Sequence, residues 1–186
     1  MSDGLVAGVV YWLVLTVVVA GGVVFAVLAT RGERWMIIVA AALLLAAVLI
    51  ANTPHPRAPE PIGALIALGT VAISAFGGSP AVRAVLGLAT RQVEGEAGGI
   101  LVAVPETDSR KEVLRGGLTI GVLERITTTA ALLAGAPEAI AVVIAIKGVG
   151  RFSDLNASEA QERFIIGTFV SLGWAAVCGA VAHLVW

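Results

Sequence analysis

The run LVAGVVYWLVLTVVVAGGVVFAVLA, residues 5–29, decides the fold because it has 25 residues and no charged side chain. As an α-helix it would be about 37 Å long, whereas the hydrocarbon core of a bilayer is about 30 Å thick. A cleaved signal peptide would have a shorter apolar core and a basic head, but residues 1–4 contain no Lys or Arg. The run therefore predicts a transmembrane helix.

The composition of the whole chain agrees with a membrane location. Of its 186 residues, 58% are hydrophobic and 13% are charged, and the mean hydropathy is +0.96. Average soluble chains are about 25% charged, so an ordinary soluble domain is excluded. A net charge of −1 gives no reason to expect nucleic acid as a partner, and one cysteine makes no disulfide framework. No cofactor is expected, because the common nucleotide-binding, hydrolase and zinc motifs are missing from the sequence.

Five further apolar stretches predict an all-α, polytopic transmembrane helix bundle of about six helices. They are Trp35–Ala51, Ile62–Phe76, Leu118–Ala134, Pro137–Val149 and Phe164–Val185. The fourth of these is only about 20 Å long as a helix, so five spans and one re-entrant segment are the alternative. Residues 77–80 are expected to end or kink the third helix, because Pro80 lacks a backbone donor and clashes with the preceding turn. Trp12, Trp174 and Trp186 are expected to be lipid-facing or interfacial anchors.

These stretches divide the chain into three parts. Residues 1–89 hold transmembrane helices 1–3, residues 90–117 form a polar cytosolic loop, and residues 118–186 form a C-terminal three-helix module. Residues 52–61 contain four prolines and are expected to form an extramembrane connector. Within the polar loop, residues 100–104 have strand character. A small self-packed loop is favoured there over an edge that pairs with a partner chain.

Lysine and arginine are unevenly distributed between the two sides of the predicted bundle. If the N-terminus is outside, nine of the twelve fall on the cytoplasmic side and only Arg57 falls outside. The nine are Arg31, Arg34, Arg83, Arg91, Arg110, Lys111, Arg115, Arg151 and Arg163. Basic loops stay in the cytoplasm. The predicted localisation is therefore the cell inner (plasma) membrane, multi-pass, with both termini outside.

Glu124, Arg125 and Lys147 fall inside predicted membrane helices, where an ionisable group is costly and is usually paired or functional. Glu124 lies about eleven residues before the turn at residues 135–136, and Lys147 lies about eleven residues after it. Both therefore have the same depth on adjacent antiparallel helices. A Glu124–Lys147 ion pair is the least costly way to bury both, and it leaves Arg125 to find another anion.

The next connection, centred near residue 157, brings Arg151 level with Arg163 by the same symmetry. With Glu162, the module then has four positive and two negative groups in its cytoplasmic half. This surplus suits a phosphate or carboxylate headgroup. The predicted ligand-binding residues are Arg125, Lys147, Arg151, Arg163 and Thr168, and the predicted structural or coupling ion pairs involve Glu124, Lys147 and Glu162. Two alternatives stay open: a simple staple of two helices, and a proton or ion pathway through Glu124.

Three segments carry a further signal: GVLER at 121–125, AIKGVGRF at 145–152 and ERFIIGT at 162–168. They resemble the pattern I-G-x-L-E-R, A-x-K-x-x-x-R-F and I-G-T of a family of uncharacterised small bacterial integral membrane proteins, and the composition looks actinobacterial. The resemblance covers about residues 115–176 and implies a shared membrane module without an activity. The family's polar positions fall on Glu124, Arg125, Lys147, Arg151 and Thr168.

The predicted function is binding or translocation of an anionic lipid or small anion at this basic cluster. The expected partners are membrane lipids, among them an anionic lipid or an isoprenoid phosphate. The alternative is a membrane-embedded accessory or scaffold protein that oligomerises or docks a cytosolic partner through residues 90–117. An enzyme is a third hypothesis, disfavoured because no nucleophile or metal set accompanies Glu124 or Glu162.

Overall fold

A computed structural model describes the backbone of residues 2–96, 117–151 and 158–186. These residues form six α-helices. The helices are α1 (Ser2–Ala29), α2 (Arg34–Ala51), α3 (Glu60–Glu96), α4 (Gly117–Leu133), α5 (Ala139–Arg151) and α6 (Ser158–Val185). The prediction of an all-α fold with six helices is confirmed.

Four of the helices are long and apolar enough to cross a membrane. The four candidate spans are Gly4–Ala29, Arg34–Ala51, Glu60–Ala89 and Gln161–Val185. The chain is therefore a multi-span helical membrane protein. Helices α4 and α5 have 17 and 13 residues, or about 25 and 20 Å of helix, and are shorter than the roughly 20 residues of a full span. The re-entrant alternative stays a prediction.

Residues 77–80 were expected either to end or to kink the third helix. The first alternative is wrong, because α3 does not end at Pro80. It continues through this proline for a total length of 37 residues. Neighbouring helices pack against α3 on several sides, which supports a proline that would break an isolated helix. Residues 90–96, expected in the polar loop, are the end of α3. The predicted strand at residues 100–104 lies outside the described residues.

The apolar core lies where α1, α2, α3 and α6 meet. Its buried side chains include Leu15, Leu44, Ile66, Ile73 and Val181. Trp12 belongs to this core with 4% of its surface exposed, so it does not face lipid, which was one of the two positions expected for it. Its ring packs edge-on against His55 of the proline-rich connector at a centroid distance of 5.3 Å, which buries the indole between helix and connector.

Each end of the helix bundle can be recognised by the side chains that meet there. At one end, Tyr11 of α1 stacks on His55 at 5.0 Å, and an added Cβ on Gly63 of α3 would meet the C-terminal Trp186 at 3.3 Å. At the other end, the turn between α1 and α2 lies beside α3, where Arg34 and Arg83 line one small pocket of about 230 Å³. The start of α1 and the end of α6 therefore lie at the same end of the bundle.

Candidate functional site

Arg125 on α4 is the most deeply buried cation of the described residues, with 3% of its surface exposed. Its guanidinium donates to the Ala75 carbonyl oxygen at 2.8 Å, to Ser79 Oγ at 3.1 Å and to Ser171 Oγ at 3.3 Å. These acceptors belong to α3 and α6, so one side chain joins three helices. Among the described residues, Arg125 forms no salt bridge with a carboxylate.

The Gly77-Gly78 pair of α3 makes room for this arrangement. An added Cβ on Gly78 would lie 2.2 Å from Cδ of Arg125, and one on Gly77 would lie 2.5 Å from Cζ2 of Trp174. Both are far inside van der Waals contact. Trp174 uses the space to donate its indole N–H to the Ile73 carbonyl oxygen at 3.0 Å. The backbone of α3 therefore holds the polar end of Trp174, and the expectation that this partly exposed residue is a lipid-facing or interfacial anchor stays a prediction.

Buried hydroxyl groups continue the contact between α3, α4 and α6. Ser74 Oγ donates to the Arg125 carbonyl oxygen at 3.3 Å, and Thr129 Oγ1 lies 2.7 Å from Ser74 Oγ and 3.1 Å from the Ala175 carbonyl oxygen. Such bonds between membrane helices replace the hydrophobic driving force that lipid does not supply. We call Ser74, Arg125, Thr129 and Ser171 the polar seam. It lies on the side of α3 and α6 that faces α4.

Glu124 and Lys147 form the ion pair that their equal depth predicts. The Lys147 ammonium donates to Glu124 Oε2, and the carboxylate is largely buried. The ammonium also lies 6.0 Å from the centroid of the Phe164 ring of α6. Within the described residues, α5 packs its backbone against α4 alone, so this pair is a polar connection between α5 and the rest of the bundle.

A cleft of about 780 Å³ lies between α5 and the three helices of the polar seam. Among the described residues, its charged lining consists of four cations and one carboxylate, namely Arg83, Arg125, Lys147, Arg163 and Glu124. Hydroxyl groups add donors and acceptors, from Ser79, Thr127, Thr168 and Ser171. The lining therefore combines net positive charge with hydrogen-bonding groups, which suits a phosphate or carboxylate.

Most of the residues that the sequence predicts for a site lie around this cleft. Glu124, Arg125, Lys147, Arg163 and Thr168 all line it. Thr168 Oγ1 is buried without a hydrogen-bond partner in the described part of the chain. Glu162 is exposed on α6 and is not a lining residue. The side chain of Arg151 lies outside the described residues, so its predicted role stays a prediction. Docking of a cytosolic partner through residues 90–117 also stays a prediction.

Sequence reasoning missed the contribution of α3. Ser79 and Arg83 line the cleft, and Ser74 and Ala75 hold Arg125. The sequence places Ser74, Ala75 and Ser79 in an ordinary span or its kinked end, and Arg83 on the cytoplasmic side beyond it. A signal was present in the spacing, since Thr70, Ser74, Gly77 and Ala81 recur every three or four residues and share one helical face. Small and hydroxyl residues on one face are typical of a close helix contact in membranes.

No protein-family model, curated protein or solved structure matches the chain. The family resemblance drawn from residues 115–176 thus stays a prediction. The lining of the cleft provides cationic and hydroxyl groups beside the buried Arg125.

Proposed function

We propose that the protein binds an anionic group, a phosphate or a carboxylate, in the cleft between α5 and the polar seam. The observation that carries the proposal is the charge of the lining, which in the described part of the chain has four cations and one carboxylate around about 780 Å³. Among the described lining residues, positive groups therefore outnumber negative ones. A net positive cleft in an apolar surrounding is costly, and a bound anion removes that cost.

The cations have different parts in the proposed site. Arg125 is almost fully buried, and the hydroxyl and carbonyl groups of α3 and α6 occupy its terminal nitrogens. It therefore contributes positive potential to the cleft. Lys147 keeps 18% of its side chain exposed, and Arg83 and Arg163 are exposed, so these three are the groups that would touch the anion.

We place the cleft in the cytoplasmic half of the membrane. The nine-to-one distribution of basic residues supports an N-terminus and a C-terminus outside. The geometry is compatible with this orientation, because Arg34 and Arg83 lie together at the end opposite Tyr11, His55 and Trp186. Anionic lipids are concentrated in the cytoplasmic leaflet, so a basic cleft there would meet them.

Native mass spectrometry of the protein in mild detergent tests the proposal. The probes are phosphatidylglycerol, phosphatidylcholine with the same acyl chains, and inorganic phosphate. We expect one anionic ligand per chain, either the lipid or the free ion. In the variant Arg83→Gln/Arg163→Gln we expect binding about tenfold weaker, since loss of charge-assisted hydrogen bonds has this order of effect.

The variant Arg31→Gln/Arg57→Gln is the matched control, because it removes the same charge from two exposed positions outside the cleft. It should bind like the unmodified protein. Equal losses in both double variants would mean that only net charge matters. That result, or the lack of any bound anion, would contradict the proposal.

A further inference from the structure

We infer that the ligand is a membrane lipid that enters the cleft sideways between α5 and α6, with its anionic headgroup on the cationic side chains and its hydrocarbon chain along α4 and α5. This inference rests on the proposed function and narrows it. A free phosphate or carboxylate ion is the alternative source of the same anionic chemistry.

The first argument is the missing helix contact on one side of the cleft. Residues of α5 and of α6 both line the cleft, but the backbones of these helices are not packed together in the described part of the chain. Across the gap, the Lys147 ammonium lies 6.0 Å from the centroid of Phe164. Only side chains therefore border the gap between α5 and α6, and no backbone contact between their described residues closes it.

The exposure of individual lining residues shows that the cleft reaches the outer surface of the bundle. Ile146 of α5 lines the cleft and is 69% exposed, and Leu123 of α4 lines it and is 58% exposed. Each therefore belongs both to the cleft and to the outer apolar surface of the bundle. That outer surface faces hydrocarbon in a multi-span membrane protein. Among the described residues, the cleft is therefore open to the outer apolar surface of the bundle beside α5.

The second argument is the amount of apolar lining. Beside the charged groups, the cleft is lined by Val82, Leu86, Ile120, Leu123, Val143 and Ile146. A phosphate ion needs only a small part of the volume, and its hydration water would then cover these apolar side chains at a cost. A hydrocarbon chain contacts them as bilayer lipid does. The lining thus fits an amphiphile better than a small ion.

The third argument is the arrangement of the two kinds of lining along the helices. On α4 the lining extends from Gly117 to Thr127, about 15 Å of helix. Arg83 and Arg163 lie toward the end where α4 begins, and Val143 lies one turn beyond Lys147 toward the turn that joins α4 to α5. A headgroup on Arg83 and Arg163 would therefore have Leu86 and Ile120 beside it and would leave Leu123, Val143 and Ile146 for the hydrocarbon chain.

A bulky residue at the gap tests lateral entry. Ile146→Trp would fill the edge of the cleft, whereas Ile144→Trp makes the same change on the same helix at a half-exposed position that does not line it. Native mass spectrometry would titrate each variant with phosphatidylglycerol, with phosphatidylcholine of the same chains, and with glycerol 3-phosphate as a headgroup without chains. Size-exclusion chromatography and circular dichroism would establish that both variants are folded.

We expect phosphatidylglycerol to bind the unmodified protein about tenfold more tightly than phosphatidylcholine or glycerol 3-phosphate does. We expect Ile146→Trp to weaken the binding of phosphatidylglycerol by about the same factor, and Ile144→Trp to leave it unchanged. Glycerol 3-phosphate that binds as tightly as the lipid, with no effect of Ile146→Trp, would overturn the lipid inference and leave anion binding intact. Equal binding of both lipids would also overturn it. If no anionic probe binds at all, the proposed function itself fails.

Discussion

The guanidinium of Arg125 donates a hydrogen bond of 2.8 Å to the carbonyl oxygen of Ala75, so that the backbone of α3 holds a charge carried by α4. Ser79 and Ser171 accept further bonds from the same group. A buried arginine without a carboxylate partner in the described residues is therefore compatible with the fold, because oxygen atoms of two neighbouring helices solvate it. Its charge remains available to attract an anion.

Replacing Arg125 should destabilise the protein in proportion to the hydrogen bonds lost. Arg125→Met removes all three hydrogen bonds, and we expect a loss of about 3 kcal/mol in unfolding free energy. Arg125→Lys keeps the charge but not the planar fork, so the loss should be smaller, about 1–2 kcal/mol. Thermal unfolding in detergent measures both. Arg57→Lys, at an exposed position of the connector, is the control and should not change the unfolding temperature. If Arg125→Lys and Arg57→Lys unfold at the same temperature, the prediction is contradicted.

Gly78→Ala tests the close contact between α3 and Arg125. The new Cβ would lie 2.2 Å from the Arg125 side chain, so the chain must shift, at a cost of about 1–3 kcal/mol. Gly87→Ala is a matched control on the same helix, because an added Cβ there meets nothing within 4 Å. Alanine favours the helix by up to about 1 kcal/mol over glycine, so the control should be neutral or more stable. Similar unfolding temperatures for both variants would show that the contact is not required.

Lys147→Met should leave the Glu124 carboxylate largely buried without a partner. We expect a loss of about 2 kcal/mol, below the value for a fully buried pair because Lys147 is partly exposed. The double variant Glu124→Gln/Lys147→Met should be more stable than the sum of the two single losses predicts, by about 1 kcal/mol. Unfolding measurements on all four proteins complete the cycle. Strict additivity would mean that the two groups do not interact.

A substitution of Glu124 distinguishes two roles of the Glu124–Lys147 pair, a structural link between α4 and α5 and a part of a ligand site. Glu124→Gln frees Lys147 for a ligand and removes the negative charge among the lining residues, so binding of phosphatidylglycerol should become several-fold tighter. Native mass spectrometry detects this change. If Glu124 and Lys147 only staple α4 to α5, Glu124→Gln lowers stability and leaves lipid binding unchanged.

Cysteine labelling in intact cells tests the predicted orientation. The native Cys178 is fully buried, so a membrane-impermeant maleimide should give little background. Arg57→Cys, in the connector, should react in intact cells, and Arg31→Cys, in the turn between α1 and α2, only after permeabilisation. The prediction rests on the one-sided distribution of basic residues. The reverse pattern of labelling would contradict it.

Much of the fold could be predicted from the sequence because lipid imposes a simple rule. A backbone in hydrocarbon must satisfy its own hydrogen bonds, so each long apolar run has to be a helix. The depth of a residue then follows from counting along the chain, and this count was enough to pair Glu124 with Lys147. It was not enough to predict what α3 does at Pro80, because the support for a proline comes from neighbouring helices.

The chain by itself therefore determined the medium, the helices and the depth of the charged groups, since hydropathy and residue spacing are properties of one helix at a time. Only the tertiary structure decided which faces meet. It placed Gly77 and Gly78 against Trp174 and Arg125, brought Ser79 and Arg83 of α3 to the cleft, and left α5 packed on α4 alone among the described residues. In lipid, helix contacts depend on the shapes and hydrogen bonds of two surfaces together, and no single segment contains that information.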